Sequence, residues 1–321
     1  APVIYIVVPC YNEEEVLPLT AEFLGKKLDD LTRSRRIHPG SRVLMVDDGS
    51  KDRTWKLIEE LHEKDERFAG VKLSRNRGHQ NALLAGLFEA ARRRCDAAIS
   101  MDADLQDPPS LLPKMLEILA TGEYDSVATR RVNREGEPPI RSFFARQFYK
   151  LINKISDADI VDGARDFRMM KRDMVNAILS MPEYNRFTKG IFGWVGFKTK
   201  WIEFENVERA AGETKWSFWK LFRYALEGII AFSTVPLTIV SLIGVIVCII
   251  AFLFLLFVVI RAAIFGDPVA GWPSLICVIS FLSGITTILV EPLIYPPHIT
   301  HIYFDKIYEH SYINRTYIWY T

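Results

Sequence analysis

From Gly228 to Ile260 the chain runs for 33 residues without an Asp, Glu, Lys, Arg or His. A helix rises about 1.5 Å per residue, so roughly 20 apolar residues cross about 30 Å of hydrocarbon. A buried core helix is the alternative, and it fits poorly at this length with Leu253-Phe254-Leu255-Leu256-Phe257 inside the run. The stretch predicts a membrane span over about 236–260. A second uncharged stretch, Pro268 to Val290, predicts another over about 270–290. The short link Arg261–Asp267 joins them as a transmembrane hairpin, which puts both flanking parts of the chain on one side.

Basic residues tend to stay on the cytosolic side. Lys215, Lys220 and Arg223 precede the first span and Lys306 and Arg315 follow the second, while the link has one Arg and one Asp. The start, Ala1 to Val8, reads as a strand and lacks the basic flank of a signal peptide. The expectation is an integral membrane protein with its first domain and both termini cytoplasmic. Aromatic and basic residues mix over Trp216–Leu226, which suits a helix in the headgroup layer over 216–235. The aromatic-rich 291–321 reads as a cytosolic juxtamembrane tail. Glu291, Pro292, Pro296 and Pro297 imply a helix break. Small residues in the spans (Gly244, Ser280, Ser283, Gly284) would let copies pack as a homo-oligomer.

Residues 1–215 alternate strand and helix signals. Val3–Val8, Val43–Val46, Val71–Leu73 and Ala97–Met101 are short apolar runs, and Thr54–Lys64 and Gln80–Arg94 are helical between them. That alternation predicts an α/β domain with a mainly parallel sheet, whose ligands sit at the carboxyl ends of the strands. A balance of 40 Lys+Arg against 39 Asp+Glu gives no support for a nucleic-acid partner. Cys10, Cys95, Cys248 and Cys277 are too dispersed for a disulfide framework or a zinc site.

Three strand ends carry chemistry: Pro9-Cys10-Tyr11-Asn12-Glu13-Glu14, Asp47-Asp48-Gly49-Ser50-Lys51-Asp52-Arg53-Thr54 and Asp102-Ala103-Asp104-Leu105-Gln106-Asp107. In extended chain, residues two apart share a side, so Asp102, Asp104 and Gln106 would converge. Two carboxylates and an amide oxygen form a hard site suited to Mg²⁺ or Mn²⁺. The bland alternative is capping of the next helix; three acidic strand ends in one domain favour the metal. Asp48 has two readings: a turn beside Gly49, or a carboxylate that accepts hydrogen bonds from a nucleobase or ribose. Lys51-Asp52-Arg53 reads as helix-start surface. His79, His298, His301 and His310 lack metal spacing and read as structural.

In this order and spacing, V-V-P-x-Y-N-E, V-D-D-G-S-x-D-x-T and M-D-A-D-L-Q-D-P-P resemble the family 2 inverting glycosyltransferases with a GT-A fold. With the hairpin added, the chain resembles the polyprenyl-phosphate glycosyltransferases of the dolichol-phosphate mannose synthase superfamily, in the bacterial bactoprenol glucosyltransferase branch. The resemblance implies that Pro9, Tyr11, Glu13, Val46 and Asp48 hold the base and ribose of a nucleotide sugar. It implies that Asp102, Asp104 and Gln106 surround a metal bridging the diphosphate, with Asp104 and Asp166 essential to catalysis. Arg130 would face the donor and Arg141 the phosphate of a polyprenyl-phosphate lipid, while Arg209 and Lys215 would sit on a loop closing over the donor. Ala145, Ala210 and Glu291-Pro292 depart from the family pattern. The remaining basic residues around Arg141 (Arg131, Arg134, Arg146, Lys150) read as a solvated face or headgroup contacts.

The implied reaction is inverting transfer of a hexose, glucose from UDP-glucose first, to a polyprenyl phosphate. Mannose from a GDP donor is the alternative. A phosphate monoester is already largely ionised at neutral pH, which makes Asp166 a positioning or electrostatic residue before a base. Processive synthases share the donor site but carry Q-x-x-R-W, and none of Gln80, Gln106 and Gln147 begins that pattern. A non-catalytic membrane scaffold would not need Asp102 and Asp104.

Overall fold

The computed structural model describes residues 1–131, 163–181, 188–204 and 235–266, with residue 233 and short pieces between 147 and 161 and between 271 and 286. The chain divides into two compact units, with described residues up to 204 in the first and from 233 in the second.

The first unit reads β1 (Ile4–Cys10), α1 (Leu17–Arg33), β2 (Arg42–Asp47), α2 (Thr54–Lys64), β3 (Phe68–Lys72), α3 (His79–Arg92), β4 (Ala97–Ser100) and α4 (Leu112–Ala120). It continues with β5 (Ser126–Arg131), β6 (Ala164–Lys171), α5 (Arg172–Leu179), α6 (Thr188–Trp194) and β7 (Thr199–Phe204). The strands form one sheet in the order β3-β2-β1-β4-β6-β5-β7. Only β6 runs against the others, pairing antiparallel with β4 and β5. The expected α/β architecture with a mainly parallel sheet is what forms.

All seven residues of β1 are buried, as a central strand covered by helices on both faces requires. One face packs Ile4, Ile6 and Val8 against Leu17, Leu24 and Leu28 of α1, whose buried residues recur at helical spacing. The other face receives α3 so closely that a Cβ on Gly86 would lie 2.2 Å from Val7 Cγ1 and 2.9 Å from Val46 Cγ2. That contact seats α3 low on the sheet and brings its first residue, His79, to the carboxyl ends of the strands.

Some element boundaries differ from those expected from sequence. β3 begins at Phe68, ahead of the apolar run Val71–Leu73, because pairing with Val43–Asp47 of β2 extends a strand through the weak formers Ala69 and Gly70. β5, β6 and β7 had no distinct sequence signal. In the second unit, α7 (Val235–Phe265) continues past Ile260 through Arg261, so part of the expected link is helix. It ends at Gly266, with φ at +73°. Thr238–Phe265 is long and apolar enough to cross a membrane. Helical pieces at 277–282 and 285–286 fall within the expected second span. The expected interfacial helix up to residue 232 and the tail 291–321 lie outside the described residues.

Candidate active site

The loops after β1 and β2 are built as one object. The amides of Asn12, Glu13 and Glu14 donate to Ser50 Oγ (3.0 Å), Thr54 Oγ1 (2.9 Å) and Asp52 Oδ2 (3.2 Å). In return, the amides of Lys51 and Arg53 donate to Asn12 Oδ1 (2.9 Å) and Glu14 Oε2 (3.0 Å). Short polar side chains thus satisfy backbone donors that a turn leaves open. Asp52, read from sequence as helix-start surface, latches the two loops together.

Asp48 anchors a third loop to these two. Its carboxylate accepts from the amides of Arg77 (2.6 Å) and Gly78 (2.8 Å), just ahead of α3. Burial pushes its pKa up, and those two amides work against that shift. Gly49 makes the approach possible: φ is +67°, and a Cβ there would meet the Arg75 carbonyl carbon at 2.5 Å.

His79 then sits among acids. Its Nε2 lies 3.5 Å from Asp166 Oδ2 and 3.6 Å from Asp102 Oδ1. Burial opposes charge on this imidazole, yet the carboxylates of Asp166, Asp102 and Asp48 outweigh it and carry its pKa up to about 9. Asp166 moves the opposite way. Burial would raise its pKa, but His79 first, then Lys189 and Arg165, bring it down to about 2. A carboxylate held that low is a weak proton acceptor at neutral pH.

The acidic loop is not extended. β4 stops at Ser100, the chain turns over 103–105, and Leu105 takes a left-handed φ of +56°. Alternation therefore does not bring Asp102, Asp104 and Gln106 to one point, as the sequence reading expected. Asp104 Oδ1 accepts from the Gln106 amide (3.1 Å). Asp102 and Gln106 are instead drawn together by a cation from another strand. The Arg165 guanidinium is 3.7 Å from Asp102 Oδ2, 3.5 Å from Gln106 Oε1 and 3.0 Å from Asp107 Oδ1. Asp107 is fully buried with Oδ2 unpartnered, and burial together with the charge of Asp102 lifts its pKa to about 7. Among the described residues no three His, Cys, Asp or Glu side chains stand grouped to hold a metal. The donor chemistry of Asp102, Asp104 and Gln106 nonetheless fits a hard divalent cation, and the oxygens of Asp102 and Gln106 already face one positive group.

The other expected site residues divide. Tyr11 and Glu13 are half-buried on the first loop. Pro9 and Val46 are buried strand residues, and the Val46 side chain lies beneath Gly86. Arg130, next to the last residue of β5, forms an ion pair with Glu203. Arg141, Arg209 and Lys215 lie outside the described residues.

His79, Arg165 and Asp107 join the site without having been singled out for it. For His79 a signal existed: it opens a helix directly after β3, a fourth strand end at the same edge as the other three. For Arg165 none did, because β6 reaches this edge by its amino end and reads as an ordinary mixed stretch.

The glycosyl transferase family 2 profile matches residues 5–179. A prophage bactoprenol glucosyl transferase homolog of Escherichia coli K12 is 41% identical over 285 residues, covering 89% of this chain and 90% of that protein. The bactoprenol glucosyl transferase of Shigella phage SfV is 38% identical over 314 residues, 97% of each chain. An uncharacterized glycosyltransferase of Synechocystis, sll0501, is 37% identical over 88% of this chain and 86% of its own.

Proposed function

The chain belongs to glycosyl transferase family 2, with bactoprenol glucosyl transferases among its relatives, and from that premise we propose that it moves a hexose from a nucleotide sugar to a polyprenyl phosphate. The reading takes glucose from UDP-glucose as the first choice and mannose from GDP-mannose as the second. The observation that carries it is likeness along 97% of a bactoprenol glucosyl transferase, far beyond the residues 5–179 that mark the family.

In the proposed reaction a phosphate oxygen of the acceptor attacks the anomeric carbon while the bond to the nucleoside diphosphate breaks, and the configuration inverts. The acceptor is mostly dianionic at neutral pH, so no proton has to be removed from the attacking oxygen. Asp166, fixed by His79, orients the acceptor and favours positive charge developing at the sugar. Asp48 sets the nucleotide end indirectly, through the loop Arg75–Gly78 that it holds. Asp102, Asp104 and Gln106 would hold a Mg²⁺ or Mn²⁺, which offsets the charge that builds on the leaving diphosphate. The α7 helix and the second apolar stretch would anchor the domain where such a lipid resides, with both flanking parts of the chain cytoplasmic.

The deciding experiment is turnover of a panel of UDP- and GDP-sugars with undecaprenyl phosphate in detergent. UDP-glucose should be consumed and a lipid-linked hexose formed. Turnover of GDP-mannose alone moves the reading to the second donor, and absence of turnover with every donor overturns it. A scaffold would also lack thermal stabilisation by UDP with Mn²⁺.

A further inference from the structure

A cavity of about 290 Å³ lies beneath α6, between that helix and strands β6 and β7. Among the described residues its charged lining is Arg165, Arg168 and Lys189, all cations, with no carboxylate. Arg168 is the unusual member. It is 3% exposed, yet its partners are neutral: Nη1 donates to Ser126 Oγ and Thr199 Oγ1, both at 3.2 Å. Its guanidinium lies against the rings of Phe192 (4.5 Å) and Trp201 (5.1 Å). Among the described residues its Nε has no hydrogen-bond partner, and no carboxylate lies within 4.0 Å of it.

A buried cation is costly unless an opposite charge or strong acceptors compensate it. Here the rings offset part of that cost, and Asp166 acts on the guanidinium from beyond ion-pair distance. The cavity adjoins the site already described: Arg165 lines both, and Lys189 is one of the charges that depress Asp166. The amide of Thr188 donates to Gln80 Oε1 (3.0 Å), which ties the start of α6 to the residue after His79. With Arg165 already held by Asp107, aromatic lining beside Arg168 and Lys189 calls for a ligand with an anionic head and an apolar body.

We propose that this cavity seats the acceptor, with its phosphate monoester between Arg168 and Lys189 and its first isoprene units against Phe192 and Trp201. The assignment rests on the proposed function and deepens it, placing acceptor recognition on β6 and α6 as well as on Arg141. The test titrates the full chain in detergent with farnesyl phosphate, inorganic phosphate and UDP, comparing wild type with Arg168→Met and Lys189→Met. Farnesyl phosphate should bind wild type and weaken about tenfold or more in both variants, the loss of one charge-assisted contact each. UDP affinity should stay within about twofold. Unchanged farnesyl phosphate affinity overturns the assignment, as does equal weakening of UDP. Inorganic phosphate binding as tightly as farnesyl phosphate also overturns it, because the site would then select free phosphate. Should Arg168→Met fail to fold, the half-buried Lys189 decides alone. These titrations need no turnover, so a protein that binds farnesyl phosphate here but transfers no sugar counts against the proposed function and not against the cavity.

Discussion

His79 Nε2 stands 3.5 Å from Asp166 Oδ2, bringing the first residue of α3 against an acid on β6, a strand that does not neighbour the strand before that helix. The opposed pKa displacements of the two, up to about 9 and down to about 2, describe an imidazolium–carboxylate pair. Its charge is set by the cluster as a whole, with Asp102 and Asp48 adding to the field on the ring.

Replacing His79 by Gln should lower turnover about 10- to 100-fold, as for other residues that orient a site carboxylate. The loss should fall on kcat more than on the KM for the nucleotide sugar. Steady-state kinetics with the donor varied checks it, and an unchanged kcat would return His79 to a purely structural role.

Asp104→Ala, or chelation of divalent cations, should abolish turnover. Asp166→Asn should reduce it without moving the pH optimum, because the attacking phosphate carries no proton to be taken. A pH–rate profile of the Asn variant decides between positioning and base catalysis: a large upward shift would mean a true base.

Asp48→Ala removes the acceptor for two amides at the start of α3, leaving both to find water or go unpaired. The expected destabilisation is about 2–4 kcal/mol, read as a lower urea midpoint with the slope unchanged. UDP affinity should fall with it, since the loop Arg75–Gly78 loses its anchor.

Glu89 on α3 is almost fully buried and paired with Arg92 (2.8 Å) and Arg93. Burial alone would raise its pKa; the two guanidinium groups reverse that and hold it below the ordinary value. A carboxylate lowered in the folded state contributes stability above its unfolded pKa of about 4.3, lost as the pH falls through the folded value. Urea midpoints of wild type should therefore decline below about pH 4.3 more steeply than those of Glu89→Gln. Equal slopes would show that the pair contributes nothing.

Gly86→Ala introduces a Cβ where Val7 and Val46 already stand. Overpacking of this kind costs about 1–3 kcal/mol. Because α3 carries His79, the shift should lower turnover as well, and denaturation and kinetics on the same preparation would show both.

Much of this protein is legible in its letters. Short apolar runs marked β1, β2 and β4, and a helical period marked α2, because those elements bury faces that their own sequence supplies. The apolar run marked α7, because its length and lack of charge are read directly from consecutive residues. The acidic strand ends marked three of the loops that form the site. His79 went unread as a site residue because a lone imidazole carries no spacing to interpret. Arg165 went unread because its meaning depends on Asp102 and Asp107, brought to it only when β6 pairs with β4.

By itself the sequence determined the alternating α/β order, the apolar C-terminal helix and the acids at the strand ends, since burial period and residue chemistry are local properties. Only the tertiary structure decided which charges meet. The antiparallel insertion of β6 delivers Arg165 and Asp166 to the edge where β3 releases His79, and turns Arg168 into a cavity where no carboxylate of the described residues touches it. Electrostatic coupling falls off with distance through space, and distance through space is what a linear chain does not carry.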